Sequence, residues 1–269
     1  MAKIAIVSDS TGCIPAEELK ALDIHVNYIS IVFGTESYRE FIDMTPEEFM
    51  ERCENYSGLP TTSQPSPGST MELYESLFAQ GYEDIIHINI SSQLSGSHQT
   101  AKTCAEMVNP EHIHVFDSRT VTYTQGMFAV YAAKKAQEGA SVQEILDYLE
   151  MMRENNQFYA AINDLTNLRK GGRLSNVEAA LGSLLQIKPI CQMQPDGTLQ
   201  AIEKIRTFKK SLKRLIEIGK EATFLLKHGE TISIANLPYG VTYTITETPA
   251  EGYETIKTGN TGTVDLSLI

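Results

Sequence analysis

The sequence has no tryptophan, only four cysteines, and no apolar run near the roughly 20 residues that cross a membrane. Cys13, Cys53, Cys104 and Cys191 are scattered and form no C-x-x-C pair, which is typical of free thiols in a reducing compartment. No apolar stretch resembling a secretory signal follows Met1. These absences predict a cytoplasmic protein without disulfides or an integral membrane segment.

Basic residues are also scarce, because 22 Lys and Arg face 34 Asp and Glu, for a net charge of −12. A nucleic-acid partner is therefore not expected, since it would require a basic surface. The densest basic run, Lys209-Lys210 with Lys213-Arg214, is typical of a solvated helix face. The six histidines form no ligand set. His112 and His114 share one face of a predicted strand without a third ligand nearby, so no metal site is predicted.

Familiar catalytic motifs are missing as well, since the chain has neither a G-x-S-x-G elbow nor a phosphate-binding loop ending in G-K-[ST]. Asp9 follows the first predicted strand, as a phosphatase nucleophile would, but Thr11 stands where such enzymes carry a second acid. The structural alternative is that Asp9 and Ser10 cap the next helix. Ser95 and His98 would share one side of a helix, which leaves a Ser–His pair as a second catalytic hypothesis.

What the chain does contain is a regular alternation of strands and helices. Short apolar strands are predicted at 3–7, 24–32, 85–90 and 112–116, and helices at 16–22, 45–50, 71–80, 97–108, 127–138 and 145–153. Thr45 is predicted to cap the second of these helices, and S-V-Q-E at 141–144 resembles a capping box before the last. This order predicts an α/β fold with a parallel sheet covered on both faces. A second set follows, with strands at 159–162, 187–193 and 199–205, helices at 165–170, 177–185 and 208–221, and a hairpin turn at 195–198. From Thr223 onward, period-two alternation predicts a short antiparallel β tail.

Two hydroxyl-rich stretches are the most distinctive feature of the sequence. The first hydroxyl segment, residues 61–68, reads T-T-S-Q-P-S-P-G, and the second hydroxyl segment, residues 91–97, reads S-S-Q-L-S-G-S. The second follows a predicted strand and precedes a predicted helix, so it is expected to be a loop whose hydroxyls and free N–H groups could hold a small anionic head group. Simple helix capping is the alternative. Arg169 and Arg173 could likewise meet an anion or stabilise a helix C-terminus.

Several stretches together resemble the DegV family of fatty-acid-binding proteins, which includes the B subunits of bacterial fatty acid kinase. They are I-A-I-V-S-D-S-T at 4–11, T-T-S-Q-P-S-P at 61–67, I-S-S-Q-L-S-G-S at 90–97, V-F-D-S at 115–118, L-T-N-L-R-K-G-G-R-L-S at 165–175 and L-G-S-L-L-Q-I-K-P-I at 181–190. The resemblance covers about residues 1–221. It implies two α/β domains that bind a long-chain fatty acid such as hexadecanoate, without a cofactor or catalysis of their own.

The same resemblance implies roles for particular residues. Thr62 and Ser95 would contact the fatty acid carboxylate first, Thr61 and Ser92 next, and Arg169 and Arg173 would be possible anion contacts from the second domain. The protein would present the head group to a separate fatty acid kinase catalytic subunit, as a step in phospholipid metabolism. A hydrolase that uses Ser95 or Asp9 remains an alternative.

The predicted domains are a DegV-like N-terminal domain at 1–155, a partial DegV-like second domain at 156–221 and a β-rich fragment at 222–269. Residues 224–265 resemble part of a Cna B-type or pilin-like β repeat, carried by L-K-H-G-E at 226–230, L-P-Y-G at 237–240 and Y-T-I-T-E at 243–247. The tail also lacks the H-x-G-P-G-like segment with which DegV proteins end. A further alternative is therefore a chimeric or truncated chain with impaired lipid binding.

Overall fold

The computed structural model describes residues 3–173, 187–221, 242–244 and 261–263. The chain divides into two compact units, Met1–Phe208 and Lys209–Ile269. The helix predicted at 177–185 lies outside the described residues, and so does the Cna B-like segment apart from two short strands. Both remain predictions, as do the bounds of the three predicted domains.

A four-stranded parallel sheet forms the centre of the first unit, in the strand order β2-β1-β6-β7. Its strands arise from apolar runs in which both faces are buried, as expected for a parallel sheet. This confirms the predicted α/β class. The strands are β1 (Ile4–Asp9), β2 (Ile24–Asn27), β6 (Asp84–Asn89) and β7 (Ile113–Asp117).

Helices cover both faces of this sheet because alternate residues along each strand point to opposite sides. Ile6, Ile86 and Ile88 belong to a core with helices α5 and α6, and Ala5, Val7 and Ile85 to a core with α3 and α4. The two-sided cover was predicted. The helices of this region are α1 (Ala16–Leu22), α2 (Pro46–Asn55), α3 (Pro67–Ala79), α4 (Ser97–Val108), α5 (Thr122–Gln137) and α6 (Val142–Asn155).

Helix starts were predicted well where local chemistry decides them. Thr45 and Ser141 both form complete capping boxes, with Glu48 and Glu144 respectively. Helix α5 is different, because it begins at Thr122 and not at the predicted Met127. Its polar first turn is held by a tertiary contact: Gln125 is fully buried, and its Oε1 accepts from Thr11 Oγ1 at 2.9 Å. Such burial leaves no periodic signal in the sequence.

A small antiparallel sheet was not predicted. The single strand expected at 24–32 is in fact two strands that belong to different sheets, β2 and β3. The break occurs because Asn27 Nδ2 donates to Thr70 Oγ1 and the Ile29 N–H donates to Ser10 Oγ, both at 3.1 Å, which turns the chain out of the parallel sheet. The small sheet has the order β4-β3-β5 and consists of β3 (Ser30–Phe33), β4 (Glu36–Arg39) and β5 (Thr61–Ser63).

Another antiparallel sheet, called the second sheet below, follows later in the same unit, in the order β10-β9-β8. The predicted hairpin turn is confirmed: Gly197 has a φ of +86°, and the Thr198 N–H and hydroxyl both donate to Asp196 Oδ1. The elements are β8 (Tyr159–Ala161), α7 (Thr166–Lys170), β9 (Ile190–Met193) and β10 (Leu199–Glu203). Their core contains Ile187, Cys191, Met193 and Leu199.

Helix α8 (Phe208–Glu221) begins at the last residue of the first unit and has the predicted bounds. The described part of the tail is an antiparallel pair of strands, β11 (Thr242–Thr244) and β12 (Thr261–Thr263), with Tyr243 opposite Gly262. The predicted antiparallel character of the tail is therefore confirmed at these residues.

Candidate functional site

Asp9 stands at the carboxyl end of the central strand β1, where ligands commonly bind in open parallel sheets. Its side chain is 1% exposed. Oδ1 accepts from Asn89 Nδ2 at 3.0 Å, and Oδ2 accepts from the Ile90 N–H at 2.9 Å. The alternative that Asp9 and Ser10 cap the next helix is wrong, since the N-cap of α1 is Pro15 and Asp9 makes no side-chain capping bond. Asp9 instead fixes the backbone that leads into the second hydroxyl segment.

A buried polar network continues from Asp9 into the layer of α3. His87 Nε2 lies 3.2 Å from Asn89 Nδ2, and His87 Nδ1 lies 2.6 Å from the Tyr74 hydroxyl. All three side chains are fully buried. Burial, followed by the nearby Cys104 and Asp9, raises the pKa of Tyr74, which keeps its hydroxyl neutral. The network therefore helps to fix the position of the Asp9 carboxylate, through Asn89.

The second hydroxyl segment is a loop, as predicted, and it is held at several points. The Ser91 N–H donates to the Thr120 carbonyl at 2.9 Å, and Ser91 Oγ donates to the Gly197 carbonyl at 2.6 Å. Ser92 is exposed, and its N–H donates to Asp117 Oδ1 at 3.2 Å. The loop is thus attached both to the parallel sheet and to the hairpin turn between β9 and β10.

Ser95 lies half-buried at the entrance of helix α4. Its Oγ accepts from the Ser97 N–H at 3.2 Å and lies 2.9 Å from Ser97 Oγ. The N-cap residue itself, Gly96, offers no side-chain bond. His98 Nδ1 is buried and has no hydrogen-bond partner among the described residues, and burial lowers the His98 pKa. The hypothesised Ser95–His98 pair is therefore not formed through this nitrogen.

The first hydroxyl segment begins as a strand, because Thr61–Ser63 form β5. Thr62 is opposite Ile31 of β3, and Thr61 and Thr62 are both exposed. The chain then reaches Gln64, whose Nε2 donates to Thr100 Oγ1 in helix α4 at 2.5 Å. Gln64 also lies against Gly96. The structure thereby brings the two hydroxyl segments together at the N-terminus of α4.

The two predicted arginines lie at the end of α7, on the side of the second sheet. Arg173 Nε donates to the Leu94 carbonyl at 3.0 Å, directly before Ser95. Arg169 is in the last turn of α7. Leu94 itself packs against the core of the second sheet. The structure therefore places Arg173 beside the second hydroxyl segment.

An apolar cavity of about 450 Å³ opens beside the end of β1. Ser10 and Asp9 contribute its polar part, and Thr62 and Ser95 are not among its lining residues. Phe41 and Ile42 stand at its exposed side, with exposures of 46% and 49%. The lining residues are Asp9, Ser10, Cys13, Ile14, Pro15, Ala16, Leu19, Val26, Tyr28, Phe41 and Ile42.

The cavity residues at 41–42 were missed in the sequence because no periodic pattern includes them. They are presented by a tight turn in which Arg39 binds Asp43 through its backbone N–H, Nε and a terminal guanidinium nitrogen, at 2.8, 3.0 and 2.8 Å. These bonds lower the pKa of Asp43 to about 2. Phe41 has a φ of +60°, a value uncommon outside glycine.

Other kinds of site find less support. A second cavity, of about 430 Å³, is lined mainly by polar and charged residues, including Asp43, Glu48, Glu51 and Arg52. His112 and His114 both approach Asp84 Oδ1, at 3.0 and 3.4 Å. In the described part of the chain, no three His, Cys, Asp or Glu residues are grouped so as to hold a metal ion. Nor does any described helix have the length and apolar character that a bilayer crossing requires.

The parallel sheet, the cavity at its carboxyl edge and the two joined hydroxyl segments define an α/β protein with the arrangement of a ligand-binding site. Residues 3–237 match the family described as "uncharacterised protein, DegV family". The chain belongs to the DegV family. The family match extends 16 residues past the predicted limit of 221 and includes part of the segment that resembles a Cna B-type repeat.

Known relatives agree with this assignment. The chain is 38% identical over 221 residues to a DegV domain-containing protein of Halalkalibacterium halodurans, covering 82% of this chain and 78% of the relative. It is 39% identical over 219 residues to Protein DegV of Bacillus subtilis, covering 81% and 77%.

Solved structures of the family are similar in fold. The structure of DegV from Bacillus subtilis, described as a fatty acid binding protein, has a TM-score of 0.76 and 38% identity, covering 82% of this chain and 78% of that one. A DegV family protein from Thermus thermophilus, described by its fatty acid binding, has a TM-score of 0.74 and 28% identity, covering 81% and 76%. A Ruminococcus gnavus member, described with vaccenic acid, has a TM-score of 0.72 and 26% identity, covering 81% and 77%.

Proposed function

We propose that this protein binds a long-chain fatty acid and presents its carboxylate to a separate fatty acid kinase. The observation that carries the proposal is the similarity, over four fifths of the chain, to a Bacillus subtilis protein described as fatty acid binding. Thr62 and Ser95 are the proposed carboxylate contacts, with Thr61 and Ser92 next. Arg173, and Arg169 one turn before it, would add positive charge to the same anion.

The apolar cavity is the proposed place for the acyl chain. Its volume of about 450 Å³ lies within the usual range for small-molecule sites, and Ile14, Leu19, Val26 and Phe41 supply an apolar lining. Each buried methylene would contribute about 0.8 kcal/mol. Asp9 connects the two parts of the proposed site, because it lines the cavity and also binds the Ile90 N–H next to the second hydroxyl segment.

Presentation to a kinase requires that the head group be held at an accessible place. Thr61, Thr62 and Ser92 are exposed, which supports this part of the proposal. In this proposal the protein is not itself an enzyme. Among the described residues, Ser95 Oγ is hydrogen-bonded to Ser97 and to no histidine or carboxylate that could act as its general base.

Mass spectrometry of the denatured protein and titration with hexadecanoate test lipid binding. We expect a copurified acyl chain, or uptake of added hexadecanoate by delipidated protein. Thr62→Val and Ser95→Ala should each weaken hexadecanoate binding about tenfold, since each removes one hydrogen bond to a charged group. Ser37→Ala, at an exposed serine of β4 in the same small sheet as Thr62, is the control. If no lipid copurifies and the delipidated protein takes up no hexadecanoate, the proposal is overturned.

Kinase presentation needs its own measurement. The loaded protein, mixed with ATP and a fatty acid kinase catalytic subunit, should support formation of an acyl phosphate. A protein that binds hexadecanoate tightly but gives no acyl phosphate with any such kinase would contradict presentation and leave lipid binding intact.

A further inference from the structure

Gln64 is the residue through which the two hydroxyl segments meet. It directly follows strand β5, which carries Thr61 and Thr62, and its side chain crosses to helix α4. There its Nε2 donates to Thr100 Oγ1 at 2.5 Å, and Thr100 is only 9% exposed. One helical turn before Thr100 lies Gly96, the N-cap of α4 and the neighbour of Ser95.

Gly96 has room for the Gln64 amide only because it is a glycine. A Cβ added at position 96 would overlap Gln64 Oε1 and crowd its carboxamide carbon. The backbone of Gly96 does not itself require glycine, since its φ of −74° and ψ of −2° are open to any residue. The glycine therefore serves the close approach of Gln64 and not an unusual turn.

We propose that Gln64 is a positioning residue, which sets the spacing between the hydroxyls of β5 and the N-terminus of α4, and so makes the site select a carboxylate over an uncharged head group. The inference rests on the proposed fatty acid function. It concerns selectivity for the head group and leaves binding of the acyl chain to the separate apolar cavity.

Strand β5 needs such a connection. It is a three-residue strand at the edge of the small sheet, and among the described residues it pairs with β3 alone. The α4 N-terminus belongs to the layer on the parallel sheet. A carboxylate that bridges Thr62 and Ser95 is sensitive to their separation, because hydrogen bonds weaken steeply once distance or angle departs from the optimum. An alcohol head group carries no charge and forms weaker hydrogen bonds, so it gains less from the same alignment.

Three variants test the connection at its different atoms. Gln64→Ala removes the amide, Thr100→Val removes its acceptor at nearly constant shape, and Gly96→Ala pushes the flexible Gln64 side chain away. Gln99→Ala is the matched control, since Gln99 is an exposed glutamine of α4 whose Nε2 donates to Thr103 Oγ1 at 3.4 Å. Urea unfolding of each variant establishes that the fold is retained.

The readout is the ratio of affinities for hexadecanoate and hexadecan-1-ol, which share a chain length and differ in head group. We expect the acid-over-alcohol preference to fall about tenfold in each of the three variants, with affinity for the alcohol within about twofold of wild type and Gln99→Ala unchanged. The double variant Gly96→Ala with Gln64→Ala should be no worse than either single variant, because both break one contact.

The outcomes separate the two proposals. Wild-type protein that binds neither lipid overturns the proposed function. Wild-type protein that prefers the acid, together with variants that keep the full preference, overturns the role of Gln64 and leaves fatty acid binding standing. Equal losses for acid and alcohol would show that Gln64 acts only on general stability, which also overturns the inference.

Discussion

The two hydroxyl segments look alike in the sequence but are built differently. Thr61–Ser63 form an exposed edge strand, held by pairing to β3. In the second segment, Ser91 and Ser97 are buried, and the loop is tied to the parallel sheet through Asp9 and Thr120 and to the second sheet through Gly197 and Arg173. The second segment is anchored from several directions. In the first, Thr61–Ser63 depend on pairing to β3 and Gln64 reaches helix α4, while Ser66 caps helix α3.

This difference indicates that the two segments would have different roles in the proposed site. A loop with buried anchors keeps its hydroxyls and N–H groups in place before a ligand arrives, which reduces the entropic cost of binding. An exposed edge strand can adjust and remains accessible to a partner. Substitutions at the anchors of the second segment should therefore cost stability, whereas matched substitutions in the first should cost little.

Asp9→Ala is expected to produce the largest effect. It would leave the buried Ile90 N–H and the Asn89 amide without their acceptor, so the free energy of unfolding should fall by about 3 kcal/mol. Urea denaturation measures this change. Asp147→Ala, at an exposed aspartate of α6, should stay within about 0.5 kcal/mol of wild type. An Asp9→Ala protein as stable as this control would show that the bond from the Ile90 N–H to Asp9 does not anchor the second segment.

Leu94→Ala should have the next largest effect and lower the free energy of unfolding by about 1.5 kcal/mol. Leu94 is a half-buried residue of the second hydroxyl segment that packs against the core of Ile187, Cys191, Met193 and Leu199. Its truncation removes apolar contacts between the loop and the second sheet. The control is Met107→Ala, an apolar residue of α4 that is 68% exposed. Equal effects in the two variants, measured by urea denaturation, would contradict the packing role of Leu94.

Sequence reasoning succeeded where the signal is local. The capping boxes at Thr45 and Ser141, the turn at Asp196-Gly197 and the apolar strand β6 follow from short patterns, and all are present. It also placed the second hydroxyl segment correctly, since a loop between a buried strand and a helix has few alternatives.

It failed where distant residues decide the structure. The break between β2 and β3 depends on Ser10 and Thr70, and the early start of α5 on Thr11, none of which is near in sequence. The role of Asp9 as an acceptor for Ile90 joins residues 81 positions apart. The cavity residues Phe41 and Ile42 are a separate case, because the turn that presents them is held by the local pair Arg39 and Asp43, which belongs to no periodic pattern.

Ser91→Ala should have a moderate effect. The variant loses the bond to the Gly197 carbonyl and the acceptor for the Gln93 N–H, so we expect a loss of about 1 kcal/mol in unfolding free energy. Ser63→Ala, the corresponding change at an exposed serine of the first segment, should cost less than about 0.5 kcal/mol. If the two serines prove equivalent in urea denaturation, the contrast between the segments does not hold.

The smallest effect concerns Glu40, which follows strand β4 of the small sheet. Burial raises its pKa above the ordinary value of 4.5, a hydrogen bond with Ser10 opposes the shift, and Oε2 is buried without a partner among the described residues. A carboxyl with a raised pKa favours the folded state when it is protonated. Its contribution is therefore fully present below pH 4.5 and is lost as the pH rises through the raised value.

Glu40→Gln keeps the shape of this side chain and removes its charge. We expect the variant to lose part of the decline in stability that wild type shows as the pH rises from 4.5 toward neutrality, measured by urea unfolding at a series of pH values. Glu17→Gln, at an exposed position of α1, is the matched control and should leave the profile unchanged. Identical profiles for wild type and Glu40→Gln would contradict the raised pKa of Glu40 and its effect on stability.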